Sequence, residues 1–265
     1  MQKKRRCNNP YSSPIFQSNL PIVSIVPEHI VDFSDYAKQA FNPRNPASFR
    51  YDECVYTPSK KLGGGVFGEV WLCRSSDPTK SLALKREMAM HSGYYSEGEQ
   101  FEHEAALNKK IYGIGEISGD PKDKTRAHYL IMRLINGMRL GEVFHRFLSH
   151  AAASDQEILR IWILLAAAVI NFNKHGLVHG DLHSGNVMVS HSHDLVSLID
   201  FGLTTSVGKL RNDCAIRTDK KAKYPFRPPE TFSDVKNPTV LAQANQDTWA
   251  AGYHLSKVKA LFLLD

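Results

Sequence analysis

The chain has 265 residues, of which 42% are hydrophobic and 23% charged, with a formal net charge of +6. This is the composition of a soluble globular protein long enough for one large domain or two small lobes. Four scattered cysteines (Cys7, Cys54, Cys73, Cys214) with no C-x-x-C pair exclude a disulfide framework or a cysteine zinc site, and point to a reducing, cytoplasmic compartment. No apolar run of the ~18 residues needed to cross a membrane occurs. The basic start Met1–Arg6 is followed by Asn8, Asn9, Pro10, Ser12 and Ser13 rather than a signal peptide's apolar stretch. The positive charge permits acidic partners, but no nucleic-acid motif accompanies it, so none is expected.

Residues 1–50, rich in Pro, Asn and Ser, read as a loosely ordered leader with one short helix around Asp32–Phe41, ending at the turn Asn42–Pro46. Strands are expected at Val70–Cys73 and Ser81–Lys85, on either side of the polar turn Ser75–Lys80. Glu97–Tyr112 has helical spacing through Phe101, Ala105 and Ile111, and Tyr129–Met132 reads as a strand. The strongest helix runs from Ser154 to His175, with Ser154 as N-cap, Glu157 three residues on and Gly176 closing it. Val187–Val189 and Val196–Ile199 flank a turn as a hairpin, and a last helix begins at Asp247. Strands first and helices later give an α+β architecture: a leader (1–50), a β-rich small lobe (51–135) and a helical large lobe (136–265).

Chemistry concentrates at H-G-D-L-H-S-G-N, His179–Asn186, and I-D-F-G, Ile199–Gly202. Asp181 precedes the carboxamide of Asn186 by five residues, and Asp200 follows the hairpin. One group to orient an attacking hydroxyl and two oxygen ligands for Mg²⁺ are what phosphoryl transfer from ATP needs. Upstream, L-G-G-G-V-F-G-E-V at Leu62–Val70 satisfies G-x-G-x-x-G-x-V through Gly63, Gly65, Gly68 and Val70. Small residues let backbone N–H groups approach phosphates, and the valine packs on a base. A Rossmann turn needs a helix directly after such glycines, whereas a strand follows here. Lys85 closes A-L-K at the end of the second strand, within reach of α/β-phosphates. Its carboxylate partner is Glu104 or Glu102, about 200° apart on the helix; Glu104, beside the apolar stripe, is preferred.

These segments, with P-P-E at Pro228–Glu230 and D-T-W-A-A-G at Asp247–Gly252, resemble the successive signatures of the eukaryotic-type protein kinase family, in order over residues 55–265. The resemblance implies a bilobal kinase fold with ATP and Mg²⁺, and a protein Ser/Thr hydroxyl as acceptor. It makes Asp181 the catalytic base, Lys85 and Glu104 the phosphate-holding pair, and Asn186 and Asp200 the metal ligands. Met132 is then the gatekeeper, Arg133–Ile135 the hinge that binds adenine, and Asp247 the cap of the catalytic loop. Phe201 packs beneath the helix carrying Glu104.

Three departures bear on function. Gly180 replaces the arginine that engages an activation-loop phosphate, so activity without loop phosphorylation is expected, while Thr204, Thr205, Ser206 and Thr218 remain candidate autophosphorylation sites. His183 gives H-G-D-L-H-x-x-N, typical of the aminoglycoside phosphotransferase and choline kinase group, which phosphorylates small molecules. Against that group stand the full glycine loop, A-L-K, P-P-E and D-x-W-x-x-G. The chain also stops 18 residues after Asp247 (265 − 247), leaving Glu230 without the usual late-helix arginine and apolar surface near Leu261–Leu264 to be covered by the leader or a partner. A minimal kinase with such a leader is similar in style to kinases that bacterial pathogens deliver into host cells. A scaffold pseudokinase is the third alternative, disfavoured because every metal and phosphate residue is present.

Overall fold

Alternation along two neighbouring strands sets up the small lobe. In the computed structural model, which describes residues 30–65, 68–87, 97–120, 123, 127–150, 154–211, 218–233 and 240–262, strand β1 is Val31–Asp32, β2 Phe49–Tyr51, β3 Cys54–Gly65, β4 Gly68–Ser75 and β5 Ser81–Glu87. Helix α1 (Glu97–Tyr112) then leads to β6 (Gly115–Ser118) and β7 (His128–Arg133), completing a seven-stranded sheet in the order β1-β2-β3-β4-β5-β7-β6. Successive side chains point to opposite faces. Trp71 and Cys73 of β4, Leu82 and Leu84 of β5, and Tyr129 and Ile131 of β7 share one buried face. Val70, Lys85, Leu130 and Met132 belong to the other, where Leu130 packs on Phe101 and Ala105 of α1.

The stretch before Tyr51 differs from the leader expected from composition. Phe33–Lys38 is a 3-10 helix between β1 and β2, β2 pairs antiparallel with β3, and the Asp32–Phe41 helix is correspondingly shorter. Phe33, Tyr36 and Phe49 are buried against Tyr56, Trp71 and Tyr129, with ring centroids 4.9–5.8 Å apart for Tyr36–Tyr129, Tyr36–Phe49 and Phe49–Tyr56. The small-lobe sheet and its apolar layer thus take in described residues ahead of Tyr51. An aromatic layer of this size outweighs the loop-favouring Pro and Asn around it. These residues cover the small lobe, not the large one, so the described leader does not cover the end of the large lobe; residues 1–29 and the Leu261–Leu264 side chains lie outside the description.

A short strand, β8 (Met138–Arg139), starts the large lobe, followed by α2 (Leu140–His150) and α3 (Asp155–Lys174). Ser154 accepts from the Glu157 backbone N–H while the Glu157 carboxylate accepts from the Ser154 N–H, and Gly176 takes φ +73° past the helix end. Strands β9 (Leu177–Val178), β10 (Val187–Val189) and β11 (Val196–Leu198) carry the loops that matter, with β8-β10-β11 forming one small sheet. Two short pairs, β12 (Thr205–Ser206) with β9 and β13 (Leu210–Arg211) with β14 (Val240–Leu241), precede the final helix α4 (Ala244–Phe262). One apolar core, including Leu140, Ile161, Leu165, Val169, Val187, Leu198, Phe201 and Ala250, unites these elements.

His254 of α4 is 8% exposed and stacks on Phe226, with ring centroids 6.1 Å apart and 23° between planes. Burial pushes its imidazole from the ordinary 6.5 down to about 4, outweighing a hydrogen bond with the Leu182 backbone. Between those values the unfolded chain binds a proton that the folded chain does not, so stability is intact above about 6.5 and falls as pH drops towards 4. The contribution is about 3 kcal/mol at most. His254→Phe is expected to flatten the pH dependence of denaturant unfolding between pH 6.5 and 4; a slope like that of the unmodified protein would contradict it.

Candidate active site

Lys85 and Val70 are cross-strand partners, as are Val70 and Gly63, so the glycine-rich strand, the valine and the lysine border one surface. Lys85 Nζ donates to Glu104 Oε2 at 2.7 Å and lies 3.5 Å from Asp200 Oδ1. The helix selects between the two glutamates by its period. Glu104 falls with Phe101, Ala105 and Leu107 on the buried side and is 2% exposed, while Glu102 points to solvent. Burial alone would lower the Lys85 pKa, but Glu104 and Asp200 outweigh it and hold the ammonium charged. Burial likewise works against ionisation of Asp200, yet Lys85, with His179 and the Gly202 N–H, leaves its carboxyl below the usual aspartate range.

Gly68 has φ +138°, and a Cβ there would stand 2.1 Å from the Arg86 carbonyl oxygen, so only glycine fits. Gly65 pairs with Gly68, and residues 66 and 67 lie outside the description. At Gly63 a Cβ would meet the Arg139 guanidinium at 2.5 Å, so Arg139 reaches from β8 across the cleft to the glycine strand.

Below the cleft, Asp247 organises the loop from β9 to β10. Its Oδ2 accepts from the His179 N–H (2.7 Å) and from Asn173 Nδ2 (3.0 Å), and its Oδ1 from the Gly180 N–H (3.0 Å). Gly180 takes φ +75° between those donations. His179 Nε2 is 3.0 Å from the Ile199 carbonyl, tying this loop to the strand before Asp200. Asn186 donates through Nδ2 to the Asp181 carbonyl at 3.0 Å, which leaves its amide oxygen as the end available to a cation. Asp181 Oδ1 accepts from Arg227 Nη2 at 2.8 Å, and its Oδ2 lies 3.8 Å from His183 Nε2.

Asp200 adopts the left-handed region (φ +65°, ψ +77°), which aims its carboxylate into the cleft while Phe201 turns into the core. Phe201 is fully buried among the rings of Phe172, Tyr112 and His179, at 5.6–5.9 Å, and Tyr112 places it beneath α1. Met132 of β7 packs with Phe101, Ala105 and Leu130, and Arg133 through Ile135 form the connection to the large lobe. Thr204 is 5% exposed, with its hydroxyl directed at the His179 carbonyl, so it is not an accessible phosphorylation site as expected from sequence; the Thr218 side chain lies outside the description.

Lys85, Glu104 and Asp200 thus meet on the sheet face that also carries Val70 and Met132, beside the glycine strand. Asp181 and Asn186 sit on the adjoining loop, tied to it by the Ile199 N–H donating to the Asn186 carbonyl. Arg133 alternates to the opposite face, so only its backbone and that of Ile135 can border this site. Three further residues join them that sequence reasoning does not single out: Arg139, Asn173 and Arg227. Asn186 and Asp200 supply a neutral and an anionic oxygen, a donor pair that suits a hard divalent cation completing its shell with phosphate and water. Among the described residues no group of three or more His, Cys, Asp or Glu forms a self-sufficient metal cage. No helix among them is long and apolar enough to cross a membrane.

Comparison with known proteins matches residues 56–261 to the protein kinase domain. The chain is 26% identical over 214 residues to a probable serine/threonine-protein kinase of Dictyostelium discoideum, covering 75% of this chain and 19% of that one. It is 27% identical over 212 residues to calcium-dependent protein kinase 6 of Oryza sativa (75% and 35%), and 28% identical over 187 residues to CBL-interacting protein kinase 21 of the same species (67% and 33%). The chain therefore spans about a fifth to a third of the length of these relatives. With the family matched over most of its length and the cleft assembled from the family's signature segments, the chain belongs to the protein kinase domain family.

Proposed function

We propose that this chain is a protein kinase that transfers the γ-phosphoryl group of ATP to a serine or threonine hydroxyl, with Mg²⁺ as its metal. The observation that carries the reading is the position of Lys85, 2.7 Å from Glu104 and 3.5 Å from Asp200. Phosphoryl transfer of this kind needs a lysine–glutamate pair and an aspartate to hold the metal, and the Lys85–Glu104 contact with Asp200 beside it supports that reading. Mg²⁺ held by Asn186 and Asp200 would supply charge neutralisation at the phosphates. Lys85 holds the α/β-phosphates, the Gly63–Gly68 backbone covers them, and the Arg133–Ile135 backbone receives adenine. Asp181 accepts the hydrogen bond of the substrate hydroxyl and fixes its line of attack. Positioning and electrostatics provide most of the acceleration, because the loose transition state asks for little proton transfer early on.

Protein as the acceptor is supported by the family and by the relatives' serine/threonine kinase names. A small-molecule acceptor is the second reading, favoured by one observation: His183, of the H-G-D-L-H pattern, sits beside Asp181. Host-cell proteins as targets have no support in the geometry and form no part of the proposal.

Labelled ATP incubated with the protein and a eukaryotic lysate, then separated into protein and small-molecule fractions, decides between the readings. Label is expected on protein Ser and Thr, reduced about 10²–10⁴-fold in Asp181→Asn and abolished in Asp200→Ala. Label confined to small molecules would transfer the assignment to the second reading; an Asp200→Ala protein that keeps its biological effect would make it a scaffold. The glycines separate in the same assay. Gly68→Ala forces backbone apart and is expected to raise the KM for ATP about 10-fold or more. Gly63→Ala needs only the mobile end of Arg139 to swing and should cost far less; equal effects would contradict this roof geometry.

A further inference from the structure

The loop from Gly180 to Asn186 contains neither lysine nor arginine. Asp181 nevertheless has a cation. Arg227 Nη2 donates to its Oδ1 at 2.8 Å, from a segment 46 residues downstream. The guanidinium side chain is 9% exposed and the carboxylate 25%, so solvent screens the pair only in part.

The other neighbour cannot supply that charge. His183 Nδ1 accepts from the Gly185 N–H at 3.0 Å, which leaves the proton on Nε2 of a neutral ring. Burial holds the His183 pKa below its ordinary value, although Asp181 and Asp200 pull the other way. Arg227, in contrast, is always charged and comes preset. Its backbone N–H donates to the Tyr224 carbonyl at 3.0 Å, Pro228 and Pro229 stiffen the chain after it, and the preceding Phe226 ring is wedged between His183 (5.5 Å) and His254 (6.1 Å).

We propose that Arg227 is the positioning cation of Asp181, a fixed charge brought to the catalytic carboxylate by the segment 224–231 because the catalytic loop has none of its own. The inference rests on the reading of Asp181 as the group that orients the substrate hydroxyl. Holding Oδ1 fixes the carboxylate plane and leaves Oδ2 as the oxygen that meets the hydroxyl. The guanidinium also offsets a negative charge that otherwise repels the incoming phosphoryl oxygens. Catalytic competence is thereby tied to the docking of residues 224–231 on the catalytic loop.

The test is a double-mutant cycle on the full chain, read by kcat, by KM for ATP and by the thermal shift that ATP with Mg²⁺ produces. Arg227→Met is expected to lower kcat about 100-fold while KM and the nucleotide-induced shift stay within about threefold of the unmodified protein, with partial recovery in Arg227→Lys. Arg227→Gln, near in shape and uncharged, carries the same expectation if the methionine variant does not fold. Asp181→Asn/Arg227→Met should be no slower than Asp181→Asn alone, because the cation acts only through the carboxylate. A kcat in Arg227→Met equal to or above that of the unmodified protein overturns the proposal, the latter marking the contact as an inhibitory clamp. Additive losses in the double variant overturn it too, by making Arg227 a structural residue. Should Asp181→Asn itself keep full activity, the reading of Asp181 fails and the proposal with it; a wild-type Arg227→Met beside an inactive Asp181→Asn sinks the Arg227 role alone.

Discussion

A single buried carboxylate holds the large lobe's chemistry in register. Asp247 is 2% exposed and accepts from two successive backbone N–H groups and from the Asn173 side chain, so its charge is spread over three donors from two other elements. Hydrogen bonds to an ionised group contribute about 1.5–3 kcal/mol each, and leaving such donors buried without it costs at least as much. The glycine at position 180 belongs to this constraint. With φ +75° it lets the chain turn directly after the captured N–H groups, which delivers Asp181 to the cleft two residues from the His179 anchor. The His179 ring carries the same order onward to Ile199, the residue before Asp200. Both aspartates of the cleft, Asp181 and Asp200, are therefore placed from one fixed point.

The small lobe solves a different problem, that of holding a charge in a dry place. Two ions removed from water lose hydration that their mutual attraction barely restores, and breaking such a pair from one side is worth about 3–5 kcal/mol. Lys85 and Glu104 meet across the space between a central strand and α1, so the helix cannot slide along the sheet without exposing one of them. Asp200 at 3.5 Å makes the arrangement a triad, and burial holds the Glu104 carboxyl above its ordinary value against the pull of Lys85. Tyr112 and Phe201 join the same helix to the large lobe by ring stacking, which couples the ion pair to the left-handed turn at Asp200.

Elements with local, redundant signals were legible. The α3 helix carries a capping box, a regular apolar stripe and a closing glycine, and each of those appears in the structure. Glu104 is separable from Glu102 because two residues on a helix differ by about 200° and only one can join the buried side. The α2 helix has a comparable signal in Leu140, Val143 and Phe144, but glycines at 137 and 141 blur its start. Residues 33–51 defeat a local reading for a different reason. Their Pro and Asn content favours loops, and the compensating burial of Phe33, Tyr36 and Phe49 depends on partners far along the chain. Arg139, Asn173 and Arg227 share that difficulty, since each owes its place to a residue 46 or more positions away: Gly63, Asp247 and Asp181 respectively.

The aromatic layer on the far side of the small-lobe sheet separates two ideas of what a domain is. The family match begins at Tyr56, whereas the described small-lobe sheet already includes β1 and β2 with the helical turn between them. A fragment cut to the family limit would uncover Tyr56, Trp71, Leu82, Leu84 and Tyr129 together, a contiguous apolar face of the kind that drives aggregation, and would remove the short pairing of β2 with the start of β3. The family match marks the part of this chain that holds the cleft, while the aromatic layer covering the back of its sheet comes in part from residues just outside that match.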